Sequence, residues 1–383
     1  MKKNIYSEEE QIYKIGESWM RLAHHPNSDL EHFLLVCKLR KQVLSPWVFS
    51  VNDGGECKAI IAGRIEENIL RPRIGYLKLP GIKVRSLAII HNGILGELDK
   101  EGGAEAFLLE LLEMFRRDEV QVVVFSHLKE GHIALWNILS KMNNSMGIRR
   151  PNWVNHRALR IKSDPEFLLK RLSSKHRSWL KNREKKLKEM FQEKLRWIWH
   201  SNFHDIREIC IKMEAVANKT YQRGLGAGFI DNEETRKRLS FFAQKGMLRV
   251  MLLEGDEVPI SFWYGIVYKN VFHAAATGYL PDVAKYEVGT LTLMKTIEEL
   301  SKEEVLKLDY GLGDASYKER FSDISWREAS FQIFAPTMKG KILRNYIALA
   351  ETIDLQLRKF AAKTGSLDYI KRTWRNLLRQ SRD

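Results

Sequence analysis

The chain has 383 residues, 44% of them hydrophobic and 29% charged, with 24 glycines and 9 prolines. That length exceeds what one hydrophobic core usually serves, and the composition excludes a disordered or fibrous chain. The net charge of +15 is concentrated: residues 166–200 and 339–383 each hold 11 Lys/Arg against 4 Asp/Glu, a pattern that points to a polyanionic partner.

Cys37, Cys57 and Cys210 have no C-x-x-C spacing, which argues against a disulfide framework or zinc ribbon and fits a reducing compartment. No apolar stretch follows MKKNIYSEEEQ, and no window approaches 18 uninterrupted apolar residues. The expected location is the cytoplasm, with the inner face of a membrane as an optional workplace.

Helical periodicity runs through Trp19 and Leu22, and two β-rich runs then flank Asp53-Gly54-Gly55 as a hairpin. Further β-like runs lie at Ile74–Leu79 and Leu87–Ile90. Phe107, Leu108, Leu111, Leu112 and Phe115 mark a helix over Ala104–Arg116, and Val120–Ser126 reads as a buried strand. Residues 167–191, with Leu172, Trp179, Leu180, Leu187 and Phe191 between basic residues, read as one long amphipathic helix. The second half repeats the plan of the first, with runs Leu248–Gly255, Val258–Tyr268 and Val271–Tyr279, a helix Val288–Leu300 and a strand Val305–Gly311. Two helical patterns, Ile342–Phe360 and Leu367–Leu378, close the chain around Gly365-Ser366. The expected domains are 1–160, 161–335 and a basic helical appendage 336–383.

Two segments carry chemistry. In ATGYLPDVAKYEVGTLTL a strand runs through a turn into a helix start, where backbone amides, Gly289 and Lys285 suit a pyrophosphate. In VLKLDYGLGDASYKERF a strand ends at Asp309, and Asp314, Tyr317 and Lys318 follow two glycines, a plausible cluster for proton transfer or substrate holding. His200 and His204 have i, i+4 spacing but no HExxH context, and no G-x-S-x-G elbow occurs, so no metal site and no serine-hydrolase site is expected.

The order of TYQRGLGAGFIDN, the three-strand meander, GYLPDVAKYEVGTLTL and DYGLGDASYKERF resembles the acetyltransferases associated with cellulose and exopolysaccharide biosynthesis, a branch of the GNAT superfamily. The most specific piece is the pattern D-[YF]-G-x-G-D-x-x-Y-K, met by Asp309, Tyr310, Gly311, Gly313, Asp314, Tyr317 and Lys318. The resemblance covers about residues 165–325, and the first half is compatible with a degenerate GNAT-like domain. It implies an α+β fold of tandem GNAT-like domains, mixed sheets flanked by helices, with a C-terminal helical appendage.

The resemblance further implies an acyl-CoA donor, acetyl-CoA or another, with pantetheine entering where the strand near Thr277 splays. The pyrophosphate is then expected on the amides of Tyr286 to Leu291, around Lys285, Gly289 and Thr290. This chain departs from the Q/R-x-x-G-x-G/A pattern at Tyr286 and Leu291, and has Thr220-Tyr221-Gln222 where relatives often have Ser-Trp-Lys. An amine attacks the thioester directly, with Asp314 ahead of Asp309 as base, Tyr317 as proton donor and His273 in reserve. Arg177, Tyr221, Arg223 and Lys318 are the expected substrate contacts. Lys175, Arg177, Lys181 and Arg183 could meet an anionic acceptor, cofactor phosphates or lipid, and the tail around Trp374 could lie on anionic lipid.

The expected activity is therefore N-acyl transfer to an amine on a small molecule, glycan, sugar nucleotide or lipid precursor. Two rivals are a Fem-type transferase using aminoacyl-tRNA, and a non-catalytic GNAT-shaped protein held at a membrane-bound polysaccharide machine. DNA is not an expected partner.

Overall fold

The computed structural model describes residues 2–75, 77–98, 100, 102–142, 147–148, 151–164, 166–220, 223, 228–313 and 315–363. Their internal contacts divide them into two units, residues 2–154 with 326–363, and residues 155–325. Beside linear boundaries at 160/161 and 335/336, this division is nested, because the chain returns to the first unit after completing the second.

In the first unit the strands Lys2–Tyr6, Val43–Asp53, Glu56–Leu70 and Ile82–Gly96 form an antiparallel run. The hairpin expected around Asp53-Gly54-Gly55 is present, with both glycines at positive φ, as a two-residue turn matched to strand twist requires. The helix Gly103–Arg116 then crosses over so that Val122–Lys129 pairs parallel to Ile82–Gly96, and Ile324–Phe334 pairs antiparallel beyond it. Phe107, Leu111, Met114 and Phe115 recur at helical spacing and bury against Phe49, Leu87 and Phe125 of the sheet. The helix Met338–Lys363 packs Leu343 and Ile347 on Val84, Val122 and Phe334. The second C-terminal helical pattern lies outside the described residues.

The second unit repeats this order of elements. Leu195–His200, Leu248–Gly255, Val258–Tyr268 and Val271–Tyr279 run antiparallel, and the helix Val288–Lys302 crosses to Lys307–Asp309, parallel to the last of them. Asn152–Arg160 then pairs antiparallel with Lys307–Asp309. Alternation along the strands decides which face each residue serves. Met251 and Trp263 join Leu293, Ile297 and Leu300 on one face, whereas Val250, Leu252 and Phe262 meet Met213, Leu239 and Phe242 on the other. The hairpin turns use Asp256-Glu257 and Lys269-Asn270, all four at positive φ without glycine.

Several elements differ from expectation. Residues 167–191 form two helices, Phe167–Arg171 and Ser174–Phe191, because the Ser173 side chain accepts from the His176 amide and starts the second. The strand expected over Val305–Gly311 pairs only at Lys307–Asp309. The strands Lys2–Tyr6 and Ile324–Phe334, not anticipated from periodicity, complete the first sheet.

The helix Ser174–Phe191 is attached by two leucines, Leu180 and Leu187, which sit among Leu253, Ile260, Val283, Val288 and Leu291. Leu187→Ala leaves a cavity in this small cluster and should cost about 2–5 kcal/mol, measured by urea denaturation of the full chain.

Candidate functional site

Within the second unit, the parallel pairing runs Val271↔Lys307, Phe272↔Leu308 and His273↔Asp309, and stops. The longer strand continues to Tyr279, held on its other edge by Val258–Tyr268. Opposite Tyr264 and Gly265 it carries an extra residue, Ala275, a β-bulge immediately past the last parallel pair. Gly265 permits this crossing, since a Cβ there would lie 2.5 Å from the His273 carbonyl oxygen. The other chain turns off at Gly311, whose φ of +68° and approach to the Ala274 carbonyl leave no room for a side chain. The result is a parallel pair that opens into a split, with the backbone edge of residues 274–279 facing it.

Asp309 closes the paired end. It is buried, accepts a hydrogen bond from the Gly311 amide at 2.9 Å, lies 2.6 Å from His156 Nε2 and 3.7 Å from His273 Nδ1. Burial pushes its pKa up, but the His156 hydrogen bond, the charges of His156 and His273, and the Gly311 amide outweigh it and hold the carboxyl at about 2. A carboxylate of that acidity is a weak base. His156 was missed in the sequence because 153 positions separate it from Asp309 and no local motif marks it.

The D-Y-G-L-G-D-A-S-Y-K segment has a structural logic of its own. Lys318 is buried and donates to the carbonyl oxygens of Gly311 and Leu312 at 3.2 and 2.8 Å, clamping the glycine turn. The Tyr310 hydroxyl donates to the Phe321 carbonyl, and burial raises its pKa. Tyr317 stands nearly perpendicular to both Trp263 and Tyr310, with centroids 6.0 and 6.1 Å away. Asp314 lies outside the described residues.

The helix start that follows the strand is organised by packing. A Cβ on Gly289 would lie 2.9 Å from the Tyr279 ring, so the glycine makes room for that tyrosine. Leu291 points into the leucine cluster, and its amide bonds to Glu287 O. Thr277 Oγ1 donates to Phe262 O, while Lys285 is exposed with its amine over the Tyr286 ring. Glu287, at φ +58°, precedes the helix, and Thr290 Oγ1 donates to its carboxylate at 3.3 Å. A negative charge thus already stands at the positive end of this helix.

Of the expected substrate contacts, Arg177 donates to the Leu172 carbonyl and Arg223 binds both Glu214 oxygens and the Phe229 carbonyl, which commits these guanidinium N–H groups to local backbone and carboxylate. Tyr221 lies outside the described residues. The structure brings together Asp309, His273, Lys318 and Tyr317 around the split and its glycine turn.

The fold is that of a tandem GNAT protein, an α+β architecture followed by a C-terminal helix. Residues 174–319 match the family described as acetyltransferase (GNAT) domain, which contains the meander, the split and the glycine turn. Among solved structures, FemX shares 9% identity with a TM-score of 0.57, over 90% of this chain and 100% of that one. A tandem GNAT protein from the clavulanic acid biosynthesis pathway shares 9% with a TM-score of 0.51, over 87% of this chain and 99% of that one. At such identities the likeness is one of fold. None of the curated proteins compared matches the chain. No described helix is long and apolar enough to cross a membrane.

Asp309 also sets an acid dependence. Its carboxyl is held near 2 against about 3.9 in the unfolded chain, so its stabilisation is full above pH 4–5 and is lost as pH falls through about 2. Asp309→Asn should be less stable than the parent by about 2–3 kcal/mol at pH 6, with the gap narrowing below pH 4, measured by denaturation at a series of pH values.

Proposed function

We propose that the second unit is an N-acyltransferase that moves an acyl group from an acyl-CoA, acetyl-CoA or a longer thioester, to an amine. The split after His273 and Asp309 carries this reading. The strand edge 274–279 offers peptide N–H and C=O groups that suit the amides of a pantetheine arm, and the bulge at Ala275 turns that edge toward the reacting end. The acceptor class, an amine on a polysaccharide, sugar-nucleotide or lipid precursor, rests on the motif from Asp309 to Lys318 alone. The same motif keeps Asp314 as a candidate base.

The bound thioester supplies the acyl group. The chain must then handle two protons, one leaving the attacking amine and one reaching the departing thiolate. His273 is the proton acceptor in this reading, because it occupies the last paired position beside the split and faces Asp309. Asp309 is a positioning residue that orients His273 and favours its charged form once the proton arrives. Tyr317, beside Trp263 near the glycine turn, is the candidate donor to the thiolate. Lys318 fixes the turn from which Tyr317 projects.

A second reading is favoured by Glu287. Its carboxylate occupies the helix end where a pyrophosphate would rest, so the donor could instead be an aminoacyl-tRNA, with the helix Ser174–Phe191 as a basic contact. The similarity to FemX is compatible with that donor.

Thermal-shift titration of the full chain with acetyl-CoA, a long-chain acyl-CoA and deacylated tRNA separates the two. Stabilisation by a CoA species supports the first reading; stabilisation by tRNA alone supports the second. If CoA binds at this helix end, Glu287→Gly should tighten acetyl-CoA about two- to fivefold by removing a like charge worth about 0.3–1 kcal/mol, measured by calorimetry. His273→Gln should lower kcat by about 100-fold or more and leave acetyl-CoA affinity unchanged; an active variant returns the base role to Asp314.

A further inference from the structure

The helix Met338–Lys363 uses only part of its circumference to hold the first unit together. Leu343, Ile347 and Ala350 are buried in step with a helical repeat, and the first two pack on Val84, Val122 and Phe334. A second apolar stripe runs beside them. Ile342, Leu349 and Ile353 are spaced by seven and four residues, which places them on one side of the helix with Met338 before them. All four side chains are exposed, Ile342 by 60% and Leu349 by 61%.

A neighbouring hairpin adds to this surface. Arg73–Ile74 pairs with Leu77–Lys78, and two hydrogen bonds fasten this part of the chain to the helix: the Gly75 amide donates to Asp354, and the Tyr346 hydroxyl donates to the Pro80 carbonyl at 3.0 Å. Leu77, 65% exposed, and Ile69 are further open aliphatic side chains. Cations surround them. The helix carries six Lys/Arg against Glu351 and Asp354, and residues 68–96 contain five Lys/Arg and no acid. Arg71, Arg73, Lys78, Lys339 and Lys341 are exposed and form no ion pair among the described residues. Helical geometry sets Lys339 and Lys341 to either side of Ile342. Of the acids on these elements, Asp354 is taken by Arg358 at 2.7 Å, Glu67 by Lys83 at 2.8 Å and Glu66 by Arg64 at 2.7 Å, and Glu351 lies on the far side of the helix from Leu349.

This chemistry separates the possible occupants. A second copy in a two-fold contact would set the patch against itself, cation against cation. RNA would accept the cations, but its bases stack on aromatic planes, and the open side chains of the stripe are aliphatic. An anionic lipid surface takes both, with headgroups for the Lys and Arg and the acyl boundary for the aliphatic groups. We propose that the first unit docks on anionic lipid through this face, the helix lying along the surface with Ile342, Leu349 and Ile353 in the acyl boundary and Arg73, Lys78, Lys339 and Lys341 at the headgroups. The contact rests on the first unit alone and is independent of the donor that the second uses.

The test is flotation of the full chain with vesicles of phosphatidylcholine alone or mixed with phosphatidylglycerol. The expected result is binding to the mixed vesicles that weakens with added salt, with at least a tenfold loss of affinity in Ile342→Gln/Leu349→Gln and in Lys339→Glu/Lys341→Glu. Because these four side chains are exposed, both variants should keep the parent's urea midpoint. Lys181→Glu/Lys185→Glu, an equal change of charge on the second unit, should bind as the parent does. No binding to the mixed vesicles, equal binding to phosphatidylcholine alone, or an equal loss in Lys181→Glu/Lys185→Glu overturns the proposal. So does an unchanged affinity in Ile342→Gln/Leu349→Gln, and if Trp374→Gln then abolishes binding, the contact belongs to the tail instead. A dimer in sedimentation equilibrium that Ile342→Gln/Leu349→Gln dissociates, without vesicle binding, gives the face to a second copy in place of lipid. Should Ile342→Gln/Leu349→Gln unfold, Arg73→Glu/Lys78→Glu on the hairpin decides: vesicle affinity equal to the parent's counts against the face.

Discussion

Parallel pairing that stops partway is the constraint on which both units are built. A parallel neighbour can be reached only by a crossover, so each unit spends a helix, Gly103–Arg116 or Val288–Lys302, to bring back a strand that pairs for only three or four residues. Beyond that, the longer strand keeps one partner and presents its other edge. Backbone N–H and C=O groups on such an edge are met by side chains, loops, water or a ligand. The bulges at Ala275, at 90–93 and at Ser126-His127 sit where pairing ends, bending each strand away from its neighbour. Opening is thereby written into the register, and the side chains decide what each opening accepts.

The two openings differ in their electrostatics. In the second unit one buried carboxylate, Asp309, ties together three strands through His156, His273 and its own backbone. Leaving such a charge without its partners costs several kcal/mol, roughly 3–5 when one member is removed, so the imidazoles are structural and chemical at once. In the first unit the buried carboxylate is Glu328, 3.4 Å from His91 and 3.7 Å from His127.

Much of the architecture was legible in the sequence because it follows from periodicity and turn chemistry. The meander Leu248–Tyr279, the helix Val288–Lys302 and the hairpin at Gly54-Gly55 lie within a few residues of expectation. The break at Ser173 was hidden because its flanks share one apolar period, and the strand Ile324–Phe334 because its partners come from far along the chain. At the site, Asp309 and Lys318 are recognisable from spacing, but spacing does not reveal their work: a carboxylate held by two histidines, and an amine held by two carbonyls. At Gly289 the structure adds what spacing does not show, the Tyr279 ring packed against it.

The nested order of the units bears on how the chain is made. The strand Val122–Lys129 leaves the ribosome long before residues 328–334, the partners of its outer edge, exist. All of residues 155–325 emerge in that interval, so the inserted unit has its full sequence first and can mature while the surrounding one waits. During this wait Phe125, which will stack on Phe331 at 4.7 Å, and Val122, which will meet Leu343 and Ile347, remain uncovered on that side. An incomplete sheet edge of this kind is prone to mispairing until translation ends.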